Sequence, residues 1–151
     1  MYDTGKTTSL NKIGEWLVKI KGYNIIGSDE EATFQPNNKM KYDDLWLVLE
    51  KNGKKIILHS ATDDKDKIDE LHNSIMSNPD TDIVITSCRD IHFPREYFDD
   101  IIKPLAITFY LESPVAKITR RDSNYTLAES WYINNLLLLN QYVLESNPYN
   151  C

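Results

Sequence analysis

Apolar residues along this chain recur first at helical spacing. Leu10, Ile13, Leu17 and Ile20 share one face of residues 8–21, and Gly22 then breaks the period, as in an amphipathic helix that stops at a glycine. Tyr23-Asn24-Ile25-Ile26 reads as a short strand. Residues 28–43 turn polar, with Pro36-Asn37-Asn38 marking a loop. The clearest local signal follows. Leu45-Trp46-Leu47-Val48-Leu49-Glu50 and Lys54-Lys55-Ile56-Ile57-Leu58-His59 flank Asn52-Gly53, a dipeptide suited to a two-residue hairpin turn. Beyond it the pattern predicts a helix over 64–77, a strand over 82–86, a helix over 94–103, a strand from Leu105 to Leu111 and a long helix over 125–146.

Strands alternating with helices after a hairpin predict an α/β fold of three layers. The expected sheet is mostly parallel, covered by helices on both faces, with one antiparallel hairpin strand. A length of 151 residues suits one domain spanning 1–151, and the chain carries no repeat, low-complexity tract or linker. The last helix is apolar on more than one side: Tyr132, Ile133, Leu136, Leu137, Leu138, Leu139, Tyr142, Val143 and Leu144 wrap around it. One side is expected to cover the sheet, and the rest leaves room for a homo-oligomer through this helix or an open sheet edge.

Composition narrows the classes. Apolar residues make up 41% and mean hydropathy is −0.47, values of a soluble globular protein. The net charge of −6 and isoelectric point near 5.0 argue against nucleic acid as a partner through bulk charge. No apolar run, Leu136 to Leu139 included, comes near the length of a membrane span. Asp3 and Lys6 precede any hydrophobic stretch, so no signal-peptide core is recognisable. Cys88 and Cys151 are too few for a disulfide framework or a zinc site, which points to the cytoplasm.

The most informative chemistry sits at Gly5-Lys6-Thr7-Thr8. It reads as the second half of the phosphate-binding pattern G-x-x-x-x-G-K-[ST], whose first glycine would fall one position before Met1. Gly5 lets the backbone wrap close to phosphate, Lys6 brings charge to the β and γ oxygens, and Thr7 offers a hydroxyl to Mg²⁺. The helix that follows aims its N-terminal amides at the anion. In these residues and in its order of elements the chain resembles P-loop nucleoside triphosphatases and small nucleotide kinases. The resemblance implies ATP, or alternatively GTP, bound with Mg²⁺, and hydrolysis or phosphoryl transfer as the activity. It also implies a first strand leading into the loop. That strand is missing, so a shortened version of a longer protein is expected, started at an internal methionine.

Three further groups are candidates for the same site. In Ser60-Ala61-Thr62-Asp63-Asp64, Asp63 is the candidate Mg²⁺-positioning carboxylate beside Thr7, while capping of the next helix by Thr62 and Asp63 is the structural alternative. His59 reads as a structural side chain. In Thr86-Ser87-Cys88-Arg89-Asp90, at the carboxyl end of a strand, Arg89 is the candidate for phosphate or base, and Cys88 reads as a small buried hydrophobe. Between the last strand and last helix, Arg120 and Arg121 are candidates for neutralising charge during phosphoryl transfer; a solvated loop is the alternative. Competing classes are a GTPase-like switch, for which Ser60-Ala61-Thr62-Asp63 lacks the D-x-x-G pattern, and a non-catalytic interaction protein.

Overall fold

The computed structural model describes residues 5–28, 33–39, 41–88, 92–106, 108–112 and 125–151. Helix α1 spans Lys6–Lys19 and leads to strand β1, Asn24–Ser28. Strands β2, Trp46–Lys51, and β3, Lys54–His59, form the hairpin. Helix α2, Lys65–Ser77, crosses to strand β4, Ile83–Thr86. Helix α3, His92–Ile101, a 3₁₀ turn at Lys103–Leu105 and helix α4, Tyr125–Glu145, complete the described chain.

The hairpin shows how sequence becomes geometry. Asn52 and Gly53 both take positive φ, 52° and 79°, which gives a turn whose twist matches that of the strands. Lys51 therefore opposes Lys54, and the register runs on without a slip to Trp46 opposite His59. Side chains alternate between faces. Leu47, Leu49, Ile56 and Leu58 pack with Leu10, Ile13, Trp16 and Leu17 of α1 and with Leu144 of α4. Val48 and Ile57 point the other way, against Ile68 and Leu71 of α2, Phe98 of α3 and Ile102 just beyond it.

Inside α1, Gly14 is a packing requirement. A Cβ there would lie 2.8 Å from Phe34 Cε1 and 2.9 Å from Leu58 Cδ2. The missing side chain lets the helix press onto β3 and accept the buried ring of Phe34.

Two expectations are corrected. The sheet is not mostly parallel: its order is β1-β2-β3-β4, β1/β2 and β2/β3 are antiparallel, and only β3/β4 is parallel. Parallel neighbours need a long crossover. Among the described residues α2 supplies one, whereas α3 and α4 return to no further strand. The three-layer P-loop sheet is therefore not this fold.

The strand expected from Leu105 to Leu111 is also absent among the described residues of that run. Pro104 sits in the 3₁₀ turn that ends at Leu105, and residues 108–112 carry no ladder. Side chains hold this segment instead. Phe109 meets Tyr149 edge-on with centroids 5.6 Å apart, Lys103 lies over the Tyr110 ring, and Glu112 takes Arg95. High β propensity describes a fit to a pleated surface, and among the described residues no strand lies beside this run to offer one.

Candidate functional site

The site forms where the start of α1 meets the carboxyl ends of β3 and β4. Gly5 is the N-cap of α1 in the left-handed region, φ 75°, and offers no side-chain acceptor to the first turn. Helix geometry leaves those first amides without intrahelical acceptors and concentrates positive potential there. Lys6 and Thr7 open the helix, and each finds a carboxylate. Lys6 Nζ lies 2.5 Å from Asp63 Oδ1, and Thr7 Oγ1 donates to Asp44 Oδ1 at 2.9 Å. The Lys6 side chain is only 15% exposed, while its bond to Asp63 lies at the surface. Thr8 lies in the same first turn.

Hydroxyls and amides build the surroundings. Ser60 Oγ donates to Asp44 Oδ1 at 2.9 Å and accepts from the Leu45 amide at 2.9 Å. Asn11 Nδ2 reaches the carbonyls of Thr7 and Asp43, each at 3.0 Å, tying the second turn of α1 to the approach to β2. Asn37 Nδ2 donates to Asp43 Oδ1 at 2.9 Å. Behind this shell the exits of β3 and β4 are laced together. Thr86 Oγ1 donates to the His59 carbonyl at 2.8 Å, Ser87 Oγ to the Ser60 carbonyl at 2.9 Å, and the fully buried Thr62 hydroxyl to the Ser87 carbonyl.

The acidic pair after β3 divides its roles. Asp64 is the N-cap of α2 and accepts from the Lys67 amide at 3.0 Å. The cap thus falls one residue after Asp63 and two after Thr62, the positions expected to supply it. Asp63 faces Lys6 across the site, while Thr62 is a buried tie between strand ends.

Of the residues expected to act together, Gly5, Lys6, Thr7, Thr8 and Asp63 are brought to one place. Arg89, Arg120 and Arg121 lie outside the described residues. Cys88 is half-buried; burial pushes its thiol up from the usual range, against the opposing charges of Arg95 and Lys6. A thiol so held stays protonated and is a poor nucleophile at neutral pH. His59 is buried within the strand end, on the side of α2 and Trp46.

Asp44 is the site residue that sequence reasoning missed; Ser60 stood in a candidate group without a role of its own. The signal was present. A two-residue turn at Asn52-Gly53 pairs residues whose numbers sum to 105, as Trp46 and His59 do, so Asp44 had to stand beside the Ser60-Ala61 step.

The donor set suits a hard cation that arrives with phosphates. Asp44 and Asp63 supply two carboxylates and Thr7 a hydroxyl, all oxygen, within reach of a helix N-terminus. No cluster of three or more acidic, histidine or cysteine side chains that could cage a metal occurs among the described residues. Mg²⁺ bound through one or two carboxylates, substrate oxygens and water needs no such cage.

No helix among the described residues is long and apolar enough to cross a membrane. No protein-family model, no curated protein and no solved structure matches the chain, so its function has to be argued from the geometry and charge of this site.

Proposed function

We propose that this chain binds a nucleoside triphosphate together with Mg²⁺ at the start of α1, ATP before GTP, with hydrolysis or phosphoryl transfer as the chemistry. The observation that carries this reading is the paired arrangement Lys6–Asp63 and Thr7–Asp44 around an N-terminus opened by a left-handed glycine. The proposal rests on that local arrangement and not on a P-loop sheet.

Charge decides the form of the ligand. Lys6 and the helix amides attract phosphate, while Asp44 and Asp63 repel it. A bare triphosphate would therefore gain little. With Mg²⁺ present the carboxylates turn from repulsive to attractive, holding the ion directly or through water. Asp63 would hold the ion in place of Lys6, whose ammonium would then face the phosphate oxygens. Thr7 stands beside Asp44 to complete the oxygen set. A cytoplasmic setting, where ATP and Mg²⁺ are abundant, goes with this reading.

Calorimetry on the full chain tests it with ATP, GTP and inorganic phosphate, each with and without Mg²⁺. Binding of ATP is expected only with Mg²⁺. Lys6→Ala should weaken it by about 10- to 150-fold, the equivalent of a charge-assisted contact worth about 1.5–3 kcal/mol. Absence of Mg²⁺-ATP binding, or binding indifferent to Lys6→Ala, would sink the proposal.

A further inference from the structure

Helix α4 has two apolar surfaces, and its own core uses one of them. Leu136 and Leu144 are buried, with Leu144 in the cluster that includes α1 and the sheet. On the opposite side stand Trp131, Leu138 and Tyr142, exposed by 68%, 63% and 71%, with Leu139 beside them at 51%. At about 100° per residue, Trp131, Leu138 and Tyr142 fall within roughly 40° of arc, so they form one straight stripe.

We infer that α4 pairs through this stripe with the α4 of a second copy of the chain. The spacing is that of a helix–helix seam. Trp131, Asn135, Leu138 and Tyr142 follow one another at intervals of four, three and four residues, the alternation that keeps a seam facing its partner. Asn135 is the single polar member, the kind of residue that sets register in such a seam.

Charge favours a second copy over a charged partner. The chain carries a net −6, so two copies repel over most of their surface. Between Ser130 and Leu144 there is no Asp, Glu, Lys or Arg, and here like molecules meet without like charges. Area points the same way. Four side chains this exposed offer on the order of 500 Å² per copy, or about 1,000 Å² for the pair, the lower limit of a specific interface. The dimer is therefore expected to be weak and concentration-dependent.

Sedimentation velocity of the full chain across about 1–200 μM tests this, spanning the micromolar dissociation constants of weak dimers. A monomer–dimer equilibrium is expected. Leu138→Glu should raise the dissociation constant by at least about 30-fold, the loss of one central anchor, with the melting temperature of the dilute protein unchanged. Trp131→Ser supplies the same test at the other end of the stripe should Leu138→Glu lower that temperature. A chain that is monomeric throughout the range overturns the inference, as does a dimer that both variants leave intact.

Discussion

Asp63 and Asp64 are adjacent and chemically alike, yet the fold sends one to Lys6 and the other to the α2 amides. Their substitutions should therefore separate. Asp64→Ala removes a helix cap and should cost about 1 kcal/mol of stability, with nucleotide binding nearly unchanged. Asp63→Asn breaks a half-exposed ion pair of small worth to folding. It should leave the melting temperature nearly unchanged while weakening Mg²⁺-dependent nucleotide binding. Thermal melts beside calorimetry read both; a large stability loss in Asp63→Asn with metal dependence intact would return that residue to a structural role. Gly14 gives a second residue-scale test. Alanine gains about 1 kcal/mol of helix propensity over glycine, but its methyl would press into Phe34 and Leu58. Gly14→Ala should accordingly destabilise by about 1–3 kcal/mol in urea titration, and a stabilised variant would show that the α1–β3 approach can relax.

At the scale of elements, short-range chemistry decides where it is strong. Asn52-Gly53 closes the hairpin through two positive φ angles, a choice made by the two residues themselves. Gly53→Ala places a Cβ in the left-handed region and should cost about 1–2 kcal/mol, measured by denaturant midpoint. No comparable compulsion acts on Leu105 to Leu111. That run is apolar enough for a strand, but it leads out of a turn holding Pro104, and among the described residues it carries no ladder. Arg95 instead draws Glu112 in, taking it with two guanidinium nitrogens while also holding Asp99 at 3.1 Å. The guanidinium holds the Glu112 carboxyl below the usual carboxylate range.

For the molecule as a whole, the sheet joins two cores, and the chain's end helps to close the one beneath α1. Tyr23 and Leu144 lie in that core, and Tyr149 and Cys151 pack against it. The Cys151 amide donates to the Leu144 carbonyl at 2.8 Å, and Lys54 Nζ reaches the Asn150 carbonyl at 2.8 Å. Burial, and next the neighbouring Cys151, push the Tyr23 phenol from 10.0 up to about 12. The fold thus favours the neutral phenol. Its contribution to stability is full below pH 10 and is lost as pH rises through about 12. Burial raises the Cys151 thiol in the same direction. Stability should consequently fall across this alkaline window, and Tyr23→Phe should flatten the fall. An equally steep decline in Tyr23→Phe would assign it to other groups.

What the sequence determined by itself was local: the two-residue turn, the helical periods of α1 and α2, the strand at 82–86, and the grouping Gly5-Lys6-Thr7 at a helix start. Each depends on residues within a few positions of one another, where φ preference and side-chain period act directly. Tertiary structure alone decided which strands join the two edges of that hairpin, antiparallel β1 beside β2 and parallel β4 beside β3, because parallel and antiparallel ladders draw on the same alternating patterns. It also decided which carboxylates meet Lys6 and Thr7. Asp44 and Asp63 stand 37 and 57 residues from their partners, and only the closing of β2 on β3, with α1 laid across them, brings those charges together.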